Sequence, residues 1–139
     1  MYIDRSIDPT ADQVRALRDA PDDQPITMVN LLKFRAQARY EDGQEAPCTG
    51  REAYAHYKHA FTQTVGAVSQ AKVMFSGPVQ QVFIGQAGSA EADWDEVLVV
   101  RYPSRKHFLA MMADPTYREA LRHRYAGLER TVLLQCAVG

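Results

Sequence analysis

The chain has 139 residues, 46% of them apolar, with 16 basic and 17 acidic side chains and a formal net charge of −1. Such a length and apolar content suit one domain with a real core, and there is no disorder-type composition. The charge balance lacks the basic excess of a nucleic-acid binder, no apolar run (Val97 to Val100 included) approaches a membrane span, and the opening MYIDRSIDPT has no apolar segment of a secretory signal.

In chain order, DPTADQVRALRDA opens a short helix, with Thr10 and Gln13 at capping-box spacing and Val14 and Leu17 turned inward. PDDQP ends it. ITMVNLLKF (26–34) reads as a strand: Ile26, Met28, Leu32 and Phe34 share one face with Asn30, and Val29 and Leu31 share the other with Thr27 and Lys33. Both faces are largely apolar, so the strand is expected to be covered by helices on one side and by something else on the other. A primary amide among such residues costs free energy unless its hydrogen bonds are met, which makes Asn30 a candidate for a polar pocket.

RAQARYEDGQEAPC reads as a long loop or ragged hairpin broken at Gly43 and Pro47. Thr49 and Glu52 form a second capping box. The helix behind them carries Tyr54, Tyr57, Phe61, Val65 and Val68 on one stripe. AKVMFSGPVQQVFIG reads as a strand interrupted at Ser76-Gly77-Pro78, a bulge or an edge position, because proline donates no ladder hydrogen bond. GSAEAD is a turn. WDEVLVVRY is the third strand, with Trp94, Glu96, Leu98, Val100 and Tyr102 on one face. Ser104 caps a short helix carrying Phe108, Met111 and Met112. Asp114 before Pro115 starts another, with Tyr117, Ala120, Leu121, Arg124 and Leu128 on its stripe. TVLLQCAV closes the chain as a strand.

After the first helix the order is β-α-β-β-α-β with the second α split in two, the ferredoxin-like signature of an α+β fold with an antiparallel sheet. There is no internal repeat or linker, so residues 1–139 are expected to form one domain, with 1–22 as an N-terminal helical extension. The first and third strands should be central. Helices should lie on one sheet face, and a homodimer joined through the helix-free sheet face should cover the other.

MVNLLKF, GREAYAHY, WDEVLVVRYPSRKHFLAMMADPTY and HRYAGLE resemble the family known as domain of unknown function 1330, in the dimeric α+β barrel superfamily. The resemblance covers about residues 26 to 137 and implies a dimeric α+β barrel. Relatives in that superfamily include cofactor-free antibiotic-biosynthesis monooxygenases, muconolactone isomerases, haem-binding chlorite-dismutase-like proteins and stress-responsive barrel proteins. Fold kinship does not choose among them.

Arg124 lies on an apolar helix stripe and needs acceptors: a ligand carboxylate or enolate, an internal partner such as Glu96, or solvent reached by snorkelling. Asn30 either binds a ligand or closes a backbone gap. If the two faces meet, Asn30 and Arg124 share a polar spot between sheet and helices. His123, next to Arg124, is a candidate base at its edge, with a solvated helix histidine as the alternative. Tyr54 and Tyr57 are core residues whose hydroxyls can supply the pocket's second polar wall. Trp94 and Tyr102 read as packing or dimer residues. His56 and His59 lie off the apolar stripe with no third ligand at a useful spacing, and His107 is isolated, so no metal or haem site is expected. No CxxC, phosphate-binding glycine loop or GxSxG element occurs, and no cofactor is expected. Cys48 and Cys136 read as free thiols of a cytoplasmic protein, one disulfide being the alternative. Two functions follow: a cofactor-independent enzyme (oxygenase, isomerase or lyase type) acting on a small organic acid or polyketide-like compound, or a non-catalytic metabolite-binding, structural or stress-related homodimer.

Overall fold

A computed structural model describes residues 6–21, 23–41 and 48–137, and at 64–67 the backbone alone. Gly43 and Pro47 of the first loop, the Val65 side chain and the last residue of the expected closing strand, Val138, lie outside the described residues. The elements are α1 (Ala11–Arg18), β1 (Ile26–Phe34), α2 (Gly50–Ala60), a π turn (Phe61–Val65), α3 (Gly66–Ser69), β2 (Lys72–Pro78), β3 (Glu96–Tyr102), α4 (Arg105–Ala113), α5 (Pro115–Gly127) and β4 (Leu128–Ala137).

Local chemistry sets most boundaries. Both capping boxes form: the Gln13 amide donates to the Thr10 hydroxyl and the Glu52 amide to that of Thr49, each at 3.1 Å. Ser104 caps α4, and Asp114 caps α5 with Pro115 at its first position. The four strands pair antiparallel in the order β2-β3-β1-β4, with the two most apolar strands at the centre. Asn30 stands opposite Leu98 on one side and Leu133 on the other.

The core lies between one sheet face and the helices. Ile26, Met28, Leu32 and Phe34 of β1 and Leu98, Val100 and Tyr102 of β3 meet Tyr54, Tyr57 and Phe61 from the α2 side and Phe108, Met111 and Tyr117 from α4 and α5. Two glycines let α2 and α5 meet. A Cβ on Gly127 would stand 2.5 Å from the Gly50 carbonyl oxygen, and one on Gly50 would stand 2.2 Å from that of Arg35. Across this contact the Arg35 amide donates to the Gly127 carbonyl (2.8 Å) and the Gly50 amide to the Arg35 carbonyl (3.1 Å).

Three expectations need correction. The helical stripe through Tyr54, Tyr57 and Phe61 does not continue to Val68, which is 42% exposed, whereas Ser69 is fully buried. The wider π turn delays the inward position by one residue. The second strand ends at Pro78, and its bulge falls between Val73 and Phe75 rather than at Ser76-Gly77-Pro78. The other reading of this proline, an edge position, holds: β2 is an edge strand, where proline is tolerated. The third strand begins at Glu96, so Trp94 belongs to the 79–95 loop. There its Nε1 donates to the Glu91 carbonyl and its ring lies 4.3 Å beneath the Arg130 guanidinium.

The other sheet face carries no helix. Val29, Leu31, Val97 and Val99 are half-buried there, and Phe75, Val132 and Leu134 are exposed. Among the described residues no helix is long and apolar enough to cross a membrane.

Candidate functional site

A cleft of about 330 Å³ opens between α2 with its π turn and the β1-β3-β2 part of the sheet. Its aromatic wall is Tyr54, Tyr57, Phe61 and Tyr102, and its polar groups include Asn30, Lys58 and Ser76. The helix spacing of 54, 57, 58 and 61 aims these side chains at the sheet, and the strand alternation of 98, 100 and 102 returns the opposite wall.

Asn30 stands on the helix-covered face, as its position among Met28 and Leu32 requires. Its Nδ2 donates to the Leu98 carbonyl at 3.0 Å. Only an amide nitrogen can donate to a carbonyl, so this bond fixes the amide's orientation. Oδ1 is then an acceptor lining the cleft, with no hydrogen-bond donor among the described residues. The Tyr57 hydroxyl donates to that of Tyr117 at 3.3 Å, and the Tyr102 hydroxyl reaches the Met111 sulfur. The Tyr54 hydroxyl bonds to no protein group among the described residues. Burial pushes the phenols of Tyr54, Tyr57 and Tyr102 well above their ordinary range, so they serve as donors and not as bases at neutral pH.

Lys58 is held at the cleft wall by Glu96, 2.8 Å away, and by Ser76 at 3.4 Å. The second oxygen of the buried Glu96 accepts from Arg51 at 3.1 Å. Lys58, the one ammonium group among the described residues lining the cleft, thus shares the Glu96 carboxylate with Arg51.

Arg124 and His123 stand outside this wall. The Nη2 of Arg124 donates to the Ile7 carbonyl at 2.7 Å, with Asp8 at 4.0 Å, so its partner is the N-terminal segment rather than Glu96. His123 faces the outer side of the α2–α5 pair. Its Nδ1 lies 2.8 Å from the Tyr40 hydroxyl, and its ring stacks at 5.6 Å on that of His56. Burial lowers the His123 pKa, and nearby Arg122 and His56 lower it further. The structure thus brings Asn30, Tyr54 and Tyr57 together on the cleft; Arg124 does not line it, but lies behind Tyr54, Tyr57 and Tyr117, close enough for its charge to act on their hydroxyls, and His123 lies on the outer side. His59 is exposed, and His107 bonds to the Ser104 cap. Among the described residues no three His, Cys, Asp or Glu side chains form a group that can hold a metal.

Sequence reasoning missed Lys58, Ser76 and Tyr102 as site residues. Tyr102 was legible from its two-residue spacing with Leu98 and Val100. Ser76 was not, because the bulge at Met74 resets the face of β2.

An antiparallel β2-β3-β1-β4 sheet with its helices packed on one face makes this a ferredoxin-like α+β protein. The chain belongs to the family described as domain of unknown function (DUF1330), whose profile matches residues 44–137, with β1 ahead of the matched part. It is similar to RPA0582, a protein of unknown function from Rhodopseudomonas palustris: 34% identity, 96% of each chain covered and a TM-score of 0.82. The methylated form of RPA0582 gives 37% identity, 96% of this chain and 94% of that chain, and a TM-score of 0.81. At 13% identity, a dimeric protein of unknown function and ferredoxin-like fold from Bacteroides fragilis covers 82% of this chain and 96% of its own, with a TM-score of 0.54. Hydroxynitrile lyase from Passiflora edulis shares the fold at 14% identity, 84% and 94% coverage and a TM-score of 0.51. Among curated proteins, none matches the chain.

Proposed function

We propose that the chain is a cytoplasmic homodimer that binds a small organic molecule in the cleft between α2 and the sheet. The observation that carries this reading is the pairing of an aromatic wall with the unengaged Asn30 Oδ1 and the Tyr54 hydroxyl. A concave apolar site with a few convergent polar groups is the ordinary form of a ligand pocket. Glu96 accepts from both Lys58 and Arg51, and Arg124 donates to Ile7, so among the described residues each cation beside the cleft already has an acceptor. The ligand is therefore a neutral, mostly apolar ring compound, polyketide-like in character, with a hydroxyl or N–H donor for Asn30. The exposed apolar side chains of the helix-free face support the dimer, as does the dimeric Bacteroides protein of the same fold.

The test is a thermal-shift screen of neutral phenols and hydroxyketones against carboxylates of matched size, followed by titration calorimetry. Neutral compounds should raise the melting temperature and carboxylates should not. Preference for carboxylates would overturn the ligand class.

One observation favours a cofactor-independent enzyme on the same site. Lys58 is a fixed donor at the cleft wall, and such a donor stabilises an enolate or alkoxide oxygen as it forms. In that case Lys58→Met retains ligand binding and loses turnover. Equal turnover in both proteins would remove Lys58 from the reaction, and no turnover in either would leave the binding reading alone.

A further inference from the structure

We propose that the cleft selects compounds that carry a carbonyl oxygen as well as a hydroxyl, hydroxyaryl ketones and the enols of diketones, with Asn30 accepting from the hydroxyl and Tyr54 donating to the carbonyl. The inference rests on the ligand reading above and adds to it the second half of the ligand's polar pattern.

Asn30 stands on β1 and Tyr54 on α2, so the two face the cleft from its opposite walls. Among the described residues, the only fully enclosed side-chain nitrogen or oxygen atoms without a partner are the Nε atoms of Arg35 and Arg105. The unengaged Asn30 Oδ1 and Tyr54 hydroxyl are therefore not sealed in the core. Tyr54 is only 2% exposed, and the cleft is the open space that it lines.

The two atoms have opposite chemistry. With Nδ2 engaged by Leu98, Asn30 presents an oxygen that can only accept. A tyrosine hydroxyl can do either, and its surroundings decide. Burial, the largest influence on Tyr54, keeps it protonated, and of the ionised groups acting on it Arg124 outweighs Glu96. A hydroxyl dipole beside a cation turns its oxygen toward the charge and its hydrogen away. Arg124 lies behind the tyrosine, so the hydrogen is offered to the cleft. The other hydroxyls of the aromatic wall are engaged, Tyr57 by Tyr117 and Tyr102 by Met111. Tyr54 is the donor that this wall has left for a ligand.

A ring compound that fills the cleft displaces water from both atoms. One that answers only Asn30 leaves the Tyr54 donor unpaired, and a site built to hydrogen-bond a group discriminates against the analogue that lacks it.

Matched compounds test this on the full-length chain by titration calorimetry. Meta- and para-hydroxyacetophenone carry both groups, meta- and para-ethylphenol the hydroxyl alone, and acetophenone the carbonyl alone. The better hydroxyacetophenone should bind at least about fivefold more tightly than the matching ethylphenol, and in Tyr54→Phe, which keeps the ring, this advantage should fall below about twofold. Asn30→Leu should instead erase the advantage of hydroxyacetophenone over acetophenone. In the wild type alone, the carbonyl stretch of the bound hydroxyacetophenone should lie at lower wavenumber than in an apolar solvent. Ethylphenols that bind as tightly as the hydroxyacetophenones, a carbonyl advantage that survives Tyr54→Phe, or an unshifted stretch overturns the carbonyl anchor and leaves the ligand reading standing. If none of these compounds binds, or benzoate binds in preference to them, the ligand reading fails and the anchor with it.

Discussion

Arg124 reaches from α5 back to the start of the described chain, where its Nη2 meets the carbonyl oxygen of Ile7 at 2.7 Å. Ile7 is buried against the core, and Thr131 of β4 donates its amide to the neighbouring Ser6 carbonyl. One guanidinium thus secures the segment that leads into α1. A hydrogen bond to a charged group contributes about 1.5–3 kcal/mol. Arg124→Met should lower stability by roughly 2 kcal/mol, accelerate proteolysis ahead of α1 and change ligand affinity less than about twofold. Denaturant melts with calorimetry check this; normal stability with lost binding would return Arg124 to the ligand site.

Asn30→Leu should do the opposite. It removes one hydrogen bond to Leu98 and one unengaged acceptor, so stability should change by less than about 1 kcal/mol. Ligand affinity should fall at least about tenfold, equivalent to about 1.4 kcal/mol. An unfolded variant would assign the amide a structural role.

The Gly50–Gly127 contact has no room for a methyl group. Gly127→Ala should cost more than about 2 kcal/mol, because its Cβ meets backbone atoms at 2.5 and 3.0 Å that cannot shift without parting the helices. Gly88→Ala is the control. Its site is open, and only its φ of +86° opposes a side chain, so the loss should stay at about 1–2 kcal/mol. Comparable melting temperatures for the two variants would contradict the crossing.

Alkaline pH should destabilise the fold through its tyrosines. Burial raises the phenols of Tyr54, Tyr57 and Tyr102, and pushes Tyr125 up to about 12. Below about pH 10 these groups are neutral in both states and stability does not depend on them. Above it the unfolded chain releases protons that the folded chain retains, so stability falls by about 1.4 kcal/mol per pH unit for each fully buried phenol until the folded value is passed. Denaturant melts with tyrosinate absorbance should show these phenols ionising together with unfolding.

His123 gives the acid counterpart. Its folded pKa is lowered, chiefly by burial. Its contribution is full above about pH 6.5 and is lost as pH falls through the depressed value. A proton resonance titrating below the free-histidine range, and moving up in Tyr40→Phe as the packed ring opens to water, would establish the pair.

The caps, the central strands and the face of Asn30 were legible in the sequence because each depends on spacings within one element. The cleft's far wall was not. Ser76 depends on a bulge at Met74, and the Lys58–Glu96 pair joins residues 38 positions apart. Arg124 misled for a related reason: its helix stripe reveals burial but not the partner, and that partner, Ile7, lies 117 positions away.

The π turn at Phe61–Val65 makes the length of the link from α2 to β2 a constraint in its own right. Phe61 lines the cleft before the extra residue, and Ser69 is buried after it. Removing one residue would restore an ordinary helical count, rotate α3 by about 100° and feed β2 into the sheet one position early. Val73 and Ser76 would then exchange sides with their neighbours, and the cleft would lose a wall with no core side chain altered. Length changes should accordingly be rejected between 61 and 72, so that insertion and deletion, more than substitution, mark where this fold keeps its cleft.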